Sequence, residues 1–198
     1  MNVISFLIYC VIVTFTPGPT NIAILSIAHN FRIKETFKYI CGAAAALGML
    51  LVASVILNSV LVVIVPKILI AMQIMGSLYI LYLSYQVFKM DVNGDTAKQT
   101  ASFISGFLLQ FINPKVWMFT MTVIPSYVMP YYKSSIALLI FVLFITIIAF
   151  SSLAAWAFFG TVFKGFFHKY QKPVNVMLSI LLVYSALEVS GIIEILKR

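Results

Sequence analysis

The chain has 198 residues, of which 63% are hydrophobic and only 9% are charged. Soluble domains carry about 25% charged residues, so this composition excludes a water-soluble globular protein and leaves the membrane as the solvent. The net charge of +8 lies mostly in short connectors rather than in a basic patch with interleaved aromatic residues. This distribution favours contact with anionic lipid headgroups and predicts that nucleic acid is not a partner.

Six apolar runs are long enough to cross a bilayer core as helices, which takes about 20 residues each. The predicted spans are residues 3–28, 37–65, 68–88, 103–124, 134–161 and 174–196. The sequence therefore predicts an all-α membrane protein in which residues 1–198 form a single transmembrane domain. The longest connector contains the turn-rich residues 91–95 (DVNGD). It divides the chain into halves of about residues 1–90 and 100–198.

Positive charges predict the orientation of the spans. Eight Lys and Arg residues fall at the first, third and fifth connectors, and four fall on the opposite side. The positive-inside rule then places both termini outside. Three spans per half is an odd number, so the second half must enter the membrane in the opposite sense to the first. The prediction is six helices arranged as two inverted three-helix repeats, with helices 1 and 4 broken.

The first break lies in residues 16–21 (TPGPTN). Pro17 and Pro19 lack amide hydrogens, and Gly18 widens the accessible φ range, so the helix is expected to stop here. Thr20 and Asn21 offer side-chain caps to a restarting helix, whose N-terminus would attract an anion. These five residues form the first predicted substrate-binding segment. The alternative is a simple proline kink.

The second break is formed by Asn113, Pro114 and Lys115. Asn is a preferred N-cap, and Pro fits the first helical position. Lys115 then adds a cation near the centre of its span, where an unpaired charge costs about 3 kcal/mol. We predict that these three residues hold an anion such as a substrate carboxylate. The alternative is a lysine that reaches water or loses its proton.

Glu188 is the one acidic residue deep within a predicted span. Intramembrane carboxylates mark functional sites by default, so Glu188 is the candidate coupling residue. It could receive a proton, pair with Lys115 or hold a substrate ammonium. The alternative is a position near the outer interface, in contact with water. Gln73, Gln110 and Asn58 are further uncharged polar residues in spans, without an assigned role.

The sequence offers no signature of enzymatic chemistry. Cys10 and Cys41 lie in apolar spans and are expected to be buried hydrophobes. Both fall in the first half, which disfavours a redox carrier with cysteines on opposing halves. His29 and His168 lie in predicted loops, so neither indicates a metal ligand. The chain has no Ser-His-Asp set, phosphate-binding loop or paired carboxylates, and we expect neither a cofactor nor catalysis.

Three motifs resemble those of the LysE/RhtB family of amino-acid exporters. Residues 16–21 (TPGPTN) resemble its N-terminal hallmark, residues 76–83 (GSLYILYL) its third-span signature, and residues 103–115 (FISGFLLQFINPK) its fourth-span motif. Their order, the chain length and the number of spans match over essentially the whole chain. One departure lies at residues 47–50 (LGML), where many members carry an aspartate and this chain has no acid.

The resemblance implies a multi-pass exporter in the bacterial plasma membrane, with amino acids or related zwitterions as substrates. It also implies coupling to the proton motive force, which makes protons and the lipid bilayer partners and leaves a homodimer open. The missing aspartate prevents the family's coupling residue from being carried over, and Glu188 is the candidate replacement. The alternatives are a non-transporting membrane subunit, or a transporter of a different solute or ion on the same fold.

Overall fold

The computed structural model describes residues 2–89, 101–162 and 170–190, and every regular element in these ranges is helical. The predicted connectors at residues 89–102 and 162–173 and the end of the sixth predicted span fall largely outside the described ranges. The elements are α1 Val3–Phe15, α2 Pro19–Asn30, α3 Ile33–Lys89, α4 Phe103–Ile112, α5 Pro114–Thr122, a π-helical turn Val123–Val128, α6 Ser135–Val162 and α7 Gln171–Val189.

Both predicted helix breaks are present. The axes of α1 and α2 differ by 56°, and α4 and the segment Pro114–Val128 differ by 67°. By length and composition, two of the described helices can cross a membrane, or up to four if each bent pair is one span. The prediction of an all-α membrane protein is therefore supported, whereas the count of six spans and the inverted repeat stay predictions.

α3 covers the second and third predicted spans. Its 57 residues would make a straight helix about 86 Å long, nearly three times the bilayer core of about 30 Å. Leu57 has non-helical backbone angles (φ −110°, ψ 19°) and divides α3 into a first arm (residues 33–56) and a second arm (residues 58–89). The predicted connector at Pro66-Lys67 is wrong, because both residues lie within helix. Membrane helices tolerate proline, so proline alone does not mark a turn.

Two apolar cores lie on either side of the breaks. In one core α1 packs with α5, the middle of the first arm and the start of α6 around Phe6, Leu51 and Ile145. In the other core α2 packs with α4, the end of the second arm and α7 around Ile24 and Leu178. Each broken pair contributes one half-helix to each core. The breaks therefore lie at the boundary between the two cores.

The first arm of α3 and α4 touch backbone to backbone. A Cβ atom at Gly42 would lie 2.0 Å from the Phe103 carbonyl oxygen, and one at Gly106 would lie 2.2 Å from the Tyr39 carbonyl oxygen. Both distances are far below van der Waals contact, so neither position accepts a side chain without separating the helices. Small residues are therefore needed at both positions.

The second arm of α3 and α7 are joined by a reciprocal pair of hydrogen bonds. The Ser84 hydroxyl donates to the Ser179 carbonyl oxygen at 2.9 Å, and the Ser179 hydroxyl donates to the Ser84 carbonyl oxygen at 3.1 Å. All these groups are buried. The two bonds therefore hold the second arm of α3 and α7 together at this point.

We expect Gly42→Ala and Gly106→Ala each to lower stability by about 1–3 kcal/mol, because the added methyl group meets a carbonyl oxygen that cannot move alone. The measurement is thermal unfolding of the purified protein in detergent. Gly48→Ala is the matched control, because its Cβ would lie 3.6 Å from the nearest atom, Thr146 Oγ1, which is an ordinary contact. Equal melting temperatures for the three variants would refute the prediction.

Candidate functional site

Four half-helix ends converge where the two breaks meet. α1 ends and α5 begins beside one core, and α4 ends and α2 begins beside the other. Helix C-termini carry partial negative charge and N-termini partial positive charge. Each negative end therefore lies close to a positive end of the other broken helix. Contacts between Thr16 and Lys115 and between Thr20 and Gln110 connect the two pairs.

The carbonyl groups at the end of α1 are satisfied by side chains from other helices. Asn21 Nδ2 donates to the carbonyl oxygens of Thr14 at 3.1 Å and Thr16 at 3.0 Å. The Ser152 hydroxyl donates to the Thr14 carbonyl oxygen at 2.9 Å, and Trp156 Nε1 donates to that of Phe15 at 3.3 Å. Hydrocarbon offers no donors, so these contacts are what allow the helix to end here.

The start of α2 differs from the sequence prediction. Gly18 is the N-cap and Pro19 takes the first helical turn, so the prediction that Thr20 and Asn21 cap this helix is wrong. Asn21 turns to the carbonyl groups of α1 instead, and the Thr20 hydroxyl donates to Gln110 Oε1 at 2.8 Å. Since glycine has no side chain, the first amides of α2 receive no side-chain cap.

The start of α5 follows the prediction. Asn113 is the N-cap, Pro114 follows it, and Asn113 Oδ1 accepts a hydrogen bond from the Lys115 amide at 3.0 Å. The Lys115 side chain is half-buried and extends across to α1, where Nζ donates to the Thr16 carbonyl oxygen at 3.2 Å. The cation therefore sits at the negative end of α1, which offsets part of the cost of placing it in the membrane.

Two cavities adjoin this contact. The larger has a volume of about 490 Å³ and lies toward the second arm of α3 and α7, which contribute Gln73, Ser185 and Val189. The smaller has a volume of about 50 Å³ and lies toward the first arm of α3 and α6, which contribute Leu47 and Leu153. Ligand sites of small molecules have volumes of about 300–1,000 Å³, so the larger cavity is of the size that a small solute requires.

The structure brings together all eight residues that the sequence assigned to substrate binding. The larger cavity is lined by Pro17, Gly18, Pro19, Pro114 and Lys115. The smaller cavity is lined by Gly18, Thr20, Asn21, Asn113 and Lys115. Glu188 lies in α7 between two residues that line the larger cavity, Ser185 and Val189, but its side chain is outside the part of the structure that is described.

Several residues of the site carried no assigned role in the sequence. Gln73 and Gln110 were visible as polar residues within apolar spans, and each lines one of the cavities. Ser152 and Trp156 were not identified. Their spacing of four residues places them on one face of α6, but their partners lie more than a hundred residues away.

The charge of the site is positive among its described side chains. Lys115 is the one charged residue that lines either cavity within the described ranges. The first amides of α2 and α5 add partial positive charge at the same place. The described residues contain no group of three or more His, Cys, Asp or Glu side chains placed to hold a metal ion. The arrangement is therefore suited to binding an anionic group.

We expect Asn21→Ala and Ser152→Ala to be more than additive in a double-mutant cycle. Both side chains donate to the Thr14 carbonyl oxygen, so either single variant leaves that oxygen one donor, whereas the double variant leaves it none. An unsatisfied buried carbonyl costs about 1–3 kcal/mol. Thermal unfolding in detergent gives the coupling energy.

The control for this cycle pairs Asn21→Ala with Ser151→Ala. The Ser151 hydroxyl is exposed and donates to the Ile147 carbonyl oxygen of its own helix at 2.8 Å. This pair should be additive, because no acceptor is shared. A coupling energy of the same size in both cycles would rule out the shared-carbonyl explanation.

Comparison with known proteins adds a family and several relatives. Residues 11–190 match the LysE type translocator family. The chain is 27% identical over 186 residues to the cysteine/O-acetylserine efflux protein of Klebsiella pneumoniae, which covers 93% of this chain and 95% of the relative. The proteins of the same description from Salmonella typhimurium and Escherichia coli K12 are 28% and 27% identical, with the same coverage. No solved structure matches the chain.

Proposed function

Because the chain belongs to the LysE type translocator family, we propose that it exports small amino acids or related zwitterions across the bacterial plasma membrane, driven by the proton motive force. Membership of this family supports a multi-pass membrane protein for efflux and fits a protein that is not an enzyme. The observation that carries the proposal is the position of Lys115. Its ammonium lies in the wall of a 490 Å³ cavity, where two bent helices meet.

The proposed architecture is six spans in two inverted repeats, with both termini outside. The equivalent placement of the two breaks supports it, since each contributes one half-helix to each core. The reciprocal bonds between Ser84 and Ser179 also support it, because these residues lie in the third predicted span of each half. Rocking of one half against the other would then expose the cavity alternately to the two sides.

The proposed site for the substrate carboxylate is the ammonium of Lys115 with the first amides of α5, followed by those of α2 near Thr20 and Asn21. An ammonium group has three N–H donors, one of which binds the Thr16 carbonyl oxygen in this structure. The substrate ammonium would meet oxygen atoms, either the carbonyl groups at the end of α1 or the Glu188 carboxylate. The relatives are named for efflux of cysteine and O-acetylserine, so small neutral amino acids are the first substrates to test.

We expect Lys115→Ala to reduce amino-acid uptake into everted membrane vesicles by about tenfold or more, because a hydrogen bond to a charged group contributes about 1.5–3 kcal/mol. In everted vesicles export appears as uptake. The assay uses a panel of labelled amino acids, with the amount of protein in each membrane preparation determined by immunoblot.

The oligomeric state is a separate question. The mass of the purified transporter in detergent shows whether it is a monomer or a homodimer.

Lys172→Ala is the matched control, because Lys172 is exposed at the start of α7 and away from both cavities. It should transport at the wild-type rate. Wild-type transport of every amino acid by Lys115→Ala would refute the carboxylate site. A wild-type protein that moves no amino acid in the panel would refute export of amino acids altogether.

For proton coupling we propose Glu188, which lies in α7 between cavity-lining residues. We expect Glu188→Gln to abolish the stimulation of uptake by an acid-inside pH gradient, because glutamine cannot bind and release a proton. Exchange of labelled for unlabelled substrate at zero gradient moves no net protons and should persist. The measurement compares gradient-driven uptake with exchange in the same proteoliposomes.

The two transport measurements, gradient-driven uptake and exchange, separate coupling from binding. Loss of both activities would assign Glu188 to substrate binding or folding rather than to coupling. Retention of gradient-driven uptake would exclude Glu188 as the coupling residue. Glu188→Asp is the control, because aspartate keeps a carboxylate that can bind and release a proton, and it should retain stimulation by the gradient. Asn175→Asp would place a new carboxylate in the same helix, but it is not suitable as a control because the Asn175 side chain is buried.

A further inference from the structure

We propose that the smaller cavity receives the side chain of the substrate and restricts export to amino acids with short side chains. This inference rests on the proposed function and adds the substrate class of the same site. It assigns a specificity role to Leu47, Ala149 and Leu153, which form the apolar side of that cavity.

The smaller cavity lies beside the proposed carboxylate anchor. It shares four lining residues with the larger one, namely Val13, Gly18, Lys115 and Phe119. The two cavities therefore adjoin at Lys115, which is the proposed carboxylate anchor. In an amino acid the side chain leaves the carbon next to the carboxylate. A substrate held by Lys115 from the larger cavity thus has its side chain within reach of the smaller one.

The walls of the smaller cavity have an apolar side and a polar side. Leu47 comes from the first arm of α3, and Ala149 and Leu153 come from α6, so this side offers no hydrogen-bonding groups. At the polar side, the Thr20 hydroxyl and Gln110 Oε1 are bonded to each other at 2.8 Å. A pocket of this kind favours an apolar or weakly polar group, such as a methyl, hydroxymethyl or thiol group, over a charged one.

The volume of the smaller cavity limits the size of the group that it can hold. A cavity needs about 10–15 Å³ of space for the centre of a water-sized sphere to hold one water molecule. The 50 Å³ of the smaller cavity therefore corresponds to about three to five non-hydrogen atoms. The side chains of alanine, serine and cysteine fit in this space, and a phenylalanine ring does not. Gly18 keeps the opening free of a side chain, since a Cβ there would lie 3.4 Å from Lys115 Nζ.

Two substitutions test the size limit in opposite directions. Leu153→Ala replaces an isobutyl group with a methyl group and should widen the pocket, whereas Ala149→Leu should fill it. The readout is the ratio of two labelled substrates taken up by everted vesicles from one preparation. This ratio does not depend on how much of the variant folds, because both substrates use the same molecules.

Leu153→Ala should raise the ratio of phenylalanine to serine uptake by about tenfold or more, since one methylene group in an apolar pocket changes discrimination about 10–200-fold. Ala149→Leu should lower the ratio of serine to glycine uptake by about tenfold for the same reason. Leu143→Ala is the matched control: it makes the same change in the same helix at a position that is 63% exposed, and both ratios should stay at the wild-type values.

The outcomes separate this inference from the proposed function. If the wild-type protein transports serine and neither ratio changes in the pocket variants, the side-chain pocket is refuted and amino-acid export stands. If Leu143→Ala shifts the ratios as much as Leu153→Ala does, the size limit does not reside in this cavity. If the wild-type protein transports no amino acid, both the proposed function and the inference fail.

Discussion

The structure depends on how an apolar helix can be broken without leaving its terminal carbonyl groups unpaired. A broken helix exposes carbonyl groups that hydrocarbon cannot bind, and each unsatisfied group costs several kcal/mol. At the end of α1 this cost is met by donors from three other helices, namely Asn21, Ser152, Trp156 and Lys115. The site is therefore built from the same interactions that make the break tolerable, and the fold and the site cannot be separated.

The electrostatics of the site follow from this arrangement. Opposed helix ends offset one another, so the four ends alone give little net potential. Lys115 adds a full charge to these partial charges, and it is the one charged residue among the described side chains that line the cavities. Among the described side chains, the full charge at the cavities thus comes from one residue, and the helix ends contribute only partial charges. Such an arrangement allows anion recognition without a cluster of cations, which the membrane would not tolerate.

Local rules account for the parts of the site that the sequence predicts. Both breaks and the Asn113 cap follow from proline, glycine and asparagine chemistry acting over a few residues. Tertiary contacts decide the rest. Asn21 prefers the carbonyl groups of α1 to the amides of its own helix, and α3 bends at Leu57 although Pro66 carries the stronger local signal. Neither the orientation of Asn21 nor the bend at Leu57 can be predicted from the sequence without knowing which helices are neighbours.

The donors at the end of α1 also constrain how the protein is made. Thr14 and Ser152 are separated by 138 residues in sequence, and Phe15 and Trp156 by 141. At about 5–20 residues per second, the ribosome needs about 7–28 s between completing α1 and supplying these donors. During that interval Asn21 can bind the carbonyl groups of Thr14 and Thr16, whereas the Phe15 carbonyl still lacks its donor, Trp156. The end of α1 therefore reaches its final set of hydrogen bonds only after α6 has been synthesised.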